Sequence, residues 1–389
     1  NSTEVKVDEP YQFFVHQQDM LKYESDPVNA VISTRIHFDA CNSGSQFTSV
    51  IMGDVKGMKA TNVIPTMIDD VDADNVSLIA ERKDAYLVVR DEAVLRTSKL
   101  VKNFKKIAVN GKSSKAKAEK SRNQFEFETL GVAKKLLSGE HGRKVCKRPV
   151  MVSNYGGTDR GRVTIIDNLI KDPVFKIDRK FVNLYVSTII ANIIGESIGS
   201  TLEGGKKFER YIQYACELIA SKEAVKWSTT DGFNITHVKK VVKTTNIRIN
   251  LPNGRGETVL VSRKFTNQNN TRAMRSSISP NVIHGMDAQL LRAVAKRMLG
   301  ARVKNSDWIH DSFGSSLNNA DMLLKFIQEE FLKFASEDQM GALHSQLMKQ
   351  AESVGVKVEE LSELNDMKDS SVNYDYDLSQ LHLSEWFFS

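Results

Sequence analysis

Two short runs with the pattern of β-strands, each ending at an aspartate, lie near opposite ends of the 389-residue chain. Residues 31–38 (VISTRIHF) interleave apolar and polar side chains and stop at Asp39. A short apolar run at 308–309 enters a turn at Asp311. β-Branched alternation bounded by turn residues is typical of strands. Each aspartate is therefore a candidate for presentation to a cleft, although either one alone would more often be a cap or turn residue.

Most of the remaining pattern is helical. Apolar residues recur at helical spacing in an opening helix after residues 8–9 and in four later segments, at 62–100, 181–224, 284–299 and 319–335. Residues 101–122 differ, because Lys and Arg are scattered there among small polar residues. We predict a mobile basic insertion in this segment.

Composition favours a soluble globular protein, because 41% of the residues are hydrophobic and 26% are charged. Charges or glycines interrupt each apolar stretch before it reaches the ~20 residues needed to cross a bilayer, so we expect no membrane association. Three widely spaced cysteines fit neither a disulfide framework nor a structural zinc site. With no secretory signal pattern visible at the start, we expect a reducing compartment.

The net charge of +6 is distributed unevenly along the chain. Residues 351–389 hold nine acids against two lysines, so the preceding part is more basic than the total. A basic body favours a polyanionic partner, but a solvated basic surface fits the charge equally well. The acidic end closes with aromatic residues 386–388, which we expect to dock onto the protein.

A long basic hairpin is predicted over residues 234–263. Apolar and polar residues alternate on both sides of a Pro-Asn-Gly turn at 252–254. The candidates for nucleic-acid contact are its basic positions Lys239, Lys240, Lys243 and Arg248. Such a hairpin can enter a nucleic-acid groove, or it can be an exposed ribbon with solvated lysines.

Three segments, in this order, resemble motifs A, B and C of the single-subunit RNA polymerases of phages and mitochondria: 39–46 (DACNSGSQ), 143–157 (RKVCKRPVMVSNYGG) and 310–314 (HDSFG). Residues 8–13 (DEPYQF), 230–233 (TDGF) and 280–284 (PNVIH) resemble further segments of that family. The resemblance covers nearly the whole chain, and the order of the motifs and the long gaps between them make it specific.

The resemblance implies an α/β (α+β) fold of the right-hand polymerase type. Residues 1–68, with motif A, and 285–389, with motif C and a carboxy-terminal foot, would form a palm around an antiparallel sheet. Residues 69–284 would be large inserted helical fingers. These fingers would carry the basic insertion (101–122), motif B (143–157) and a hairpin (234–263) similar to the family's specificity loop.

The resemblance also assigns a metal centre to Asp39, the carbonyl of Ala40 and Asp311, which would hold two Mg²⁺ ions. One ion would lower the pKa of an attacking 3′-hydroxyl, and the other would stabilise the leaving pyrophosphate. His310 and Gly156 are expected to support this centre structurally.

In motif B a four-residue spacing lines one face of a helix with Arg143, Lys147, Met151 and Tyr155. By resemblance, Arg143 and Lys147 hold the triphosphate, Lys147 is a candidate acid for pyrophosphate departure, and Tyr155 contacts the sugar and base. Tyr86 matches a family tyrosine near the nucleotide. Because Pro149 falls inside this helix, we expect the helix to begin near Lys147 or to bend there. Taken alone, the segment would be a basic amphipathic surface helix.

The sugar pocket predicts RNA rather than DNA as the product. Related DNA polymerases carry a bulky Glu, an aromatic residue and an acid where this chain has Gly44, Met151 and Ser312. Gly44 leaves room for a 2′-hydroxyl. The resemblance gives Tyr155 and His284 the role of recognising the ribose.

Parts of the family have no counterpart here, namely the amino-terminal domain, the thumb and a palm segment with a further catalytic arginine. We expect either a fragment or a second polymerase subunit that supplies them, and the chain looks like the larger subunit of a heterodimeric phage enzyme. The other expected partners are NTPs, the RNA transcript and template DNA, with single-stranded DNA as the predicted template. The expected location is the cytoplasm of an infected bacterium.

Two alternatives stay open. A related family A-type DNA polymerase would prefer deoxyribonucleotides. A non-catalytic nucleic-acid-binding scaffold subunit would leave Mg²⁺-dependent synthesis intact when Asp311 is lost.

Overall fold

The computed structural model describes residues 10–30, 32, 34–72, 75–104, 114–153, 155–250, 256–373, 375 and 381–388. The predicted turn at 252–254 and much of the predicted basic insertion, residues 105–113, lie outside these ranges.

Within the described ranges the chain forms thirteen α-helices and nine β-strands. The helices are α1 (Pro10–Ser25), α2 (Ser43–Ile51), α3 (Val55–Ala60), α4 (Ala85–Asn103), α5 (Ser114–Ser138), α6 (Gly142–Ser153), α7 (Asp159–Ile170), α8 (Leu184–Thr201), α9 (Glu203–Ala220), α10 (Thr271–Gly300), α11 (Ala320–Ser336), α12 (Gln339–Ser353) and α13 (Val358–Ser371). The strands are β1 (Arg35–Asp39), β2 (Thr66–Asp72), β3 (Asn75–Glu81), β4 (Val225–Ser228), β5 (Asn234–His237), β6 (Lys240–Asn250), β7 (Gly256–Asn269), β8 (Ser306–Ile309) and β9 (Ser312–Ser316). The fold is therefore mixed α+β, mainly helical with small antiparallel sheets.

One three-stranded sheet joins the two ends of the chain. Its order is β1–β9–β8, with β9 in the centre and both pairings antiparallel. The register of β1 on β9 runs from Arg35 opposite Ser316 to Asp39 opposite Ser312. The strands predicted beside the two aspartates are confirmed, and they are neighbours in one sheet.

The other described sheets are two-stranded hairpins. The longest pairs β6 with β7 from Lys240 opposite Asn269 to Asn250 opposite Gly256, which confirms the predicted long hairpin but not its bounds of 234–263. Residues 234–237 form β5, which pairs with β4 in a separate hairpin. A further hairpin pairs β2 with β3, so the helical prediction for 62–100 was wrong for residues 66–72 and 75–81. The β-branched residues in this part of the sequence favour a strand, and only α4 keeps the predicted helix.

Of the two alternatives predicted for the helix of motif B, a start near Lys147 was wrong. α6 begins at Gly142 and continues through Pro149 to Ser153, and a bend near Lys147 stays a prediction. A proline inside a helix costs ~3 kcal/mol through a lost hydrogen bond and a steric clash. The flanking side chains of Cys146 and Val150 are fully buried, and this burial stabilises the helix against that cost.

The predicted mobile insertion at 101–122 contains parts of two helices. Residues 101–103 end α4, and residues 114–122 begin α5. The mobility of the insertion stays a prediction. Alanine, lysine, glutamate and arginine between 115 and 122 have high helix propensity, which outweighs their lack of an apolar stripe.

The buried side chains form two core clusters. One surrounds the three-stranded sheet and includes Phe47 of α2, Phe313 of β9 and Phe331 of α11. The other lies among helices α4 to α8 and includes Val89 and Ile190. Helix α9, strand β4 and the first half of α10 pack with the sheet cluster. The division at residues 1–68, 69–284 and 285–389 stays a prediction. Among the described helices, none is both long enough and apolar enough to cross a membrane.

Candidate active site

The two predicted aspartates lie side by side at the edge of the three-stranded sheet. Asp39 ends β1 opposite Ser312, the residue that follows Asp311. The amide of Ala40 donates a hydrogen bond to the carbonyl of Asp311 at 3.1 Å. The fold thus brings two acids from opposite ends of the sequence together, one at the end of β1 and the other in the turn that precedes β9.

The charges of these two aspartates interact. Partial burial raises the pKa of Asp39, and the negative charge of Asp311 raises it further. The amide of Ala40 and the rings of His310 and His37 act in the opposite direction, because they favour the charged carboxylate. The contribution of Asp311, which is second to that of burial, indicates that the two carboxylates are close enough to repel.

His310 and Asp311 form the turn between β8 and β9. His310 has a φ of 45°, in the left-handed region, which for a residue with a Cβ costs about 1 kcal/mol or more. Its Nδ1 lies 3.2 Å from Oδ1 of Asp311, and its Nε2 lies 3.6 Å from Oδ2 of Asp287. The His310 ring therefore stands between two carboxylates.

The predicted sugar-recognition residues also meet. Tyr155 follows the end of α6, so it does not continue the helical face of Lys147 as predicted. Its hydroxyl lies 3.2 Å from Oγ of Ser43, and its ring centre lies 5.0 Å from that of His284. Burial raises the pKa of Tyr155 to about 12 and lowers the pKa of His284. Gly44 is buried in the first turn of α2, next to Ser43.

A cleft of about 400 Å³ opens between the strand ends and α6, and its lining includes Asp39, Ala40, Tyr86, Arg143 and Lys147. Arg143 donates a hydrogen bond from Nε to Oδ2 of Asp84 at 2.6 Å. The guanidinium of Arg143 lies 5.2 Å from the ring centre of Tyr86, a cation–π distance. Burial raises the pKa of Tyr86. The lining thus combines the acidic side chains of Asp39 and Asp84 with four basic ones, those of Arg82, Lys83, Arg143 and Lys147.

Gly156 occupies a position that requires glycine. Its φ is 74°, and a Cβ built there would lie 2.9 Å from the carbonyl oxygen of Ser276 in α10. A side chain would be strained by the backbone and crowded by that carbonyl. The turn after α6 is thereby held against α10, close to the chain segment that carries His284.

The aromatic residues at 386–388 dock onto the same region, as predicted. Phe388 forms a β-bridge with Ala40, and its ring stacks on Phe313 of β9 with centres 5.8 Å apart. Phe387 is fully buried, and its carbonyl accepts a hydrogen bond from Gln46 at 2.9 Å. This segment supports the strand end that carries Asp39.

The four basic residues predicted to contact nucleic acid lie on or beside the β6–β7 hairpin. Of the three whose side chains the structure describes, Lys239, Lys240 and Lys243, none is in the lining of the cleft between β1 and α6. Lys239 and Lys243 are exposed. Lys240 donates from Nζ to the carbonyl of Asn267 at 3.0 Å and to the side chain of Asn269 at 2.7 Å, within the hairpin. The side chain of Arg248 lies outside what the structure describes.

Asp287 is the residue of this region that the sequence interpretation missed. It lies on α10 one turn after His284, is only 5% exposed, and has a pKa that burial raises to about 7. Ile283, Leu290 and Val294 are buried on the same face of the helix. An acid at helical spacing among apolar residues was a signal available in the sequence.

Residues 2–385 match the model of the DNA-dependent RNA polymerase family, so this chain belongs to that family.

Its relatives include phage enzymes and a mitochondrial one. T7 RNA polymerase from Escherichia phage T7 is 24% identical over 359 residues, which cover 85% of this chain and 38% of that protein. The DNA-directed RNA polymerase of Enterobacteria phage T3 is 24% identical over 340 residues, covering 82% of this chain and 36% of that protein. The mitochondrial DNA-directed RNA polymerase 1 of Arabidopsis thaliana is 25% identical over 208 residues, covering 51% of this chain and 20% of that protein. The chain thus spans little more than a third of the length of its phage relatives.

Proposed function

We propose that this chain carries the catalytic centre of a DNA-directed RNA polymerase, which transfers ribonucleoside monophosphates to the 3′ end of an RNA on a DNA template. The observation that supports this most is the meeting of Asp39 and Asp311 where β1 ends and β9 begins, beside a cleft that Asp39 lines together with Arg143 and Lys147. The two acids would serve metal ions, and the two cations would serve a triphosphate. On the same grounds we assign residues 1–68 and 285–389 to a polymerase palm and residues 69–284 to its fingers.

The acidic edge fits Mg²⁺. Carboxylate and carbonyl oxygens are the ligands this cation prefers, and Asp39, Ala40 and Asp311 offer them at neighbouring positions. Burial raises the pKa of Asp39 most, and repulsion from Asp311 adds to that shift. A bound cation would relieve this repulsion. Two Mg²⁺ ions held there would activate the RNA 3′-hydroxyl and stabilise the charge on the departing pyrophosphate.

The side chains of the chain itself would position the reactants. Lys147 and Arg143 bind the triphosphate, and Lys147 donates a proton to the leaving pyrophosphate oxygen. Arg143 would exchange its contact with Asp84 for the phosphates, since both acceptors are anionic. Holding the attacking hydroxyl and the phosphate in line contributes most of the acceleration, because phosphoryl transfer requires little covalent chemistry from the protein.

Sugar selection gives a sharp test of this proposal. Replacing Tyr155 with Phe removes the hydroxyl that lies beside Ser43, while the ring next to His284 is retained. We expect discrimination between ribo- and deoxyribonucleotides to fall about three- to tenfold, the effect of one neutral hydrogen bond. The measurement is the ratio of kcat/KM for a matched NTP and dNTP in the assembled polymerase.

Tyr185→Phe is the matched control, because this half-exposed tyrosine packs on Phe125 among the helices of the second core. Its variant should keep the wild-type ratio. An unchanged ratio in Tyr155→Phe would contradict the role of that hydroxyl. A wild-type preference for deoxyribonucleotides would favour the DNA polymerase alternative.

A second polypeptide would supply what this chain does not cover. The length covered in the phage relatives leaves more than half of those proteins unmatched. Helix α1 exposes large apolar side chains on its surface, including Tyr11 at 89%, Phe14 at 59% and Leu21 at 57%. Several large apolar side chains exposed on one helix are typical of a protein–protein interface. We place the contact with the second polymerase subunit there, in a complex that acts in the cytoplasm of an infected bacterium.

The basic hairpin is proposed to guide template DNA, with single strands preferred. In the assembled polymerase, replacing both Lys239 and Lys243 with Gln should weaken DNA binding and lower the slope of log affinity against log salt by about one per lost phosphate contact. Titrations of single- and double-stranded DNA at several salt concentrations measure both quantities. The control is the double variant Lys325→Gln with Lys349→Gln, two exposed lysines on α11 and α12. Equal slopes in the two double variants would contradict the contact.

A further inference from the structure

The buried acid Asp287 has no role in the proposed function, although it lies next to His310. Neither of its carboxylate oxygens has a partner at hydrogen-bonding distance and angle among the residues that the structure describes. The hydroxyl of Ser43 is near enough to favour the charged form, and Asp311 disfavours it. A buried carboxylate without a full set of partners is costly, so its retention requires a compensating role.

The nearest cationic candidate is His310. The Nε2 atom of His310 lies 3.6 Å from Oδ2 of Asp287, while its Nδ1 lies 3.2 Å from Oδ1 of Asp311. The imidazole therefore links the buried acid of α10 to the exposed acid at the strand end. The left-handed φ of 45° at His310 sets the tight turn from which this ring extends.

Asp287 also lies on the same helix as His284, one of the two residues proposed to recognise the sugar; the other is Tyr155. His284 is one helical turn before it, and the His284 ring makes an edge-to-face contact with the His310 ring at 5.1 Å between centres. On its other side the His284 ring contacts Tyr155 at 5.0 Å. The buried carboxylate of Asp287 is therefore linked to Asp311 through the His310 ring. The ring of His310 in turn contacts that of His284, which contacts Tyr155.

We propose that Asp287 is a positioning residue, which holds the His310 ring between two carboxylates and thereby fixes Asp311 at the metal-binding edge. The role is transmitted through His310, because Asp287 is only 5% exposed and is not in the lining of the cleft between β1 and α6. This inference rests on the proposed function, in which Asp311 binds a divalent cation. Partners that orient metal ligands through hydrogen bonds commonly change metal affinity or activity by 10- to 100-fold when they are lost.

The experiment is Asp287→Asn in the assembled polymerase, which keeps the size of the side chain and removes its charge. We expect the Mg²⁺ concentration for half-maximal synthesis to rise about tenfold. At saturating Mg²⁺ the KM for NTP should stay within about twofold, because Arg143 and Lys147 are untouched. The dissociation constant of Mn²⁺, measured by electron paramagnetic resonance without nucleotide, should rise by a similar factor.

Two further variants make the result decisive. His310→Gln alters an exposed side chain, and it should raise the Mg²⁺ requirement on its own. The double variant with Asp287→Asn should be no worse than His310→Gln, because both act through the same ring. Asp231→Asn, which removes an acid paired with Arg292 at 2.7 Å, is the matched control and should leave the Mg²⁺ requirement unchanged.

Failure of the role of Asp287 and failure of the proposed polymerase function give different results. If Asp287→Asn behaves like Asp231→Asn in Mn²⁺ binding and in Mg²⁺ requirement, Asp287 does not position Asp311 and the inference is overturned. Additive effects of Asp287→Asn and His310→Gln overturn it as well. Failure of the wild-type complex to make RNA, or full synthesis by an Asp311→Asn complex, would instead reject the proposed function.

Discussion

Replacing Asp311 with Asn in the assembled polymerase is expected to reduce RNA synthesis about a thousandfold or more. The substitution keeps the shape of the residue and removes one of the two charges that converge at the sheet edge. A neutral amide binds Mg²⁺ far more weakly than a carboxylate does. Primer extension with NTPs at several Mg²⁺ concentrations measures the loss, and added Mg²⁺ should restore only part of it.

Asp307→Asn is the matched control for this experiment. Asp307 lies on β8 of the same hairpin, where it pairs with Arg35 and approaches His37 at 3.7 Å. Loss of an exposed pair of this kind is worth little, and synthesis should stay near the wild-type level. Full Mg²⁺-dependent synthesis by the Asp311→Asn complex would favour the scaffold alternative, in which another chain performs the chemistry.

The second large effect concerns the proposed partner chain. We expect this chain alone to extend RNA at least about a hundredfold more slowly than the two-chain complex, because productive positioning of primer and template is lost. The complex is obtained by purifying the tagged chain from its native source and identifying the co-purified polypeptide by mass spectrometry. Support requires that this polypeptide match the regions of phage RNA polymerases that this chain leaves uncovered.

The contact on α1 can be tested in the same reconstitution. Leu21→Glu places a charge in the exposed apolar surface of α1 and should weaken assembly about thirtyfold, the effect of losing an interface hot spot. Leu299→Glu is the control, because Leu299 is 68% exposed at the end of α10. Equal assembly of both variants would remove α1 from the interface, and undiminished RNA synthesis by the isolated chain would reject the second subunit.

The local features of the catalytic edge could be predicted from the sequence. β-Branched alternation before Asp39 and a short apolar run before Asp311 indicate strands, and turn residues define where each strand ends. That the two strands are neighbours does not follow from either pattern. Only the resemblance of both segments to one polymerase family placed them together, and the sheet register agrees with that placement.

What the sequence did not predict depends on contacts between distant segments. A spacing of four predicted Tyr155 on the helix with Lys147, but the helix ends at Ser153 and the left-handed Gly156 redirects the chain towards α10. The contact of Arg143 with Asp84 joins two separate helices and has no local signature. Asp287 had a signal on its own helix, yet its neighbour His310 lies beyond the end of that helix.

The pairing of β1 with β9 also dictates when the site forms during synthesis. At the ~5–20 residues per second of translation, β1 leaves the ribosome roughly 15 to 50 s before β9 does. The core among helices α4 to α8 lies between them in sequence, so it can fold on the nascent chain during that interval. The pairing of Asp39 with Asp311 therefore has to wait for β9, and a translation product that stops before β8 contains Asp39 and the residues of this helical core but not Asp311.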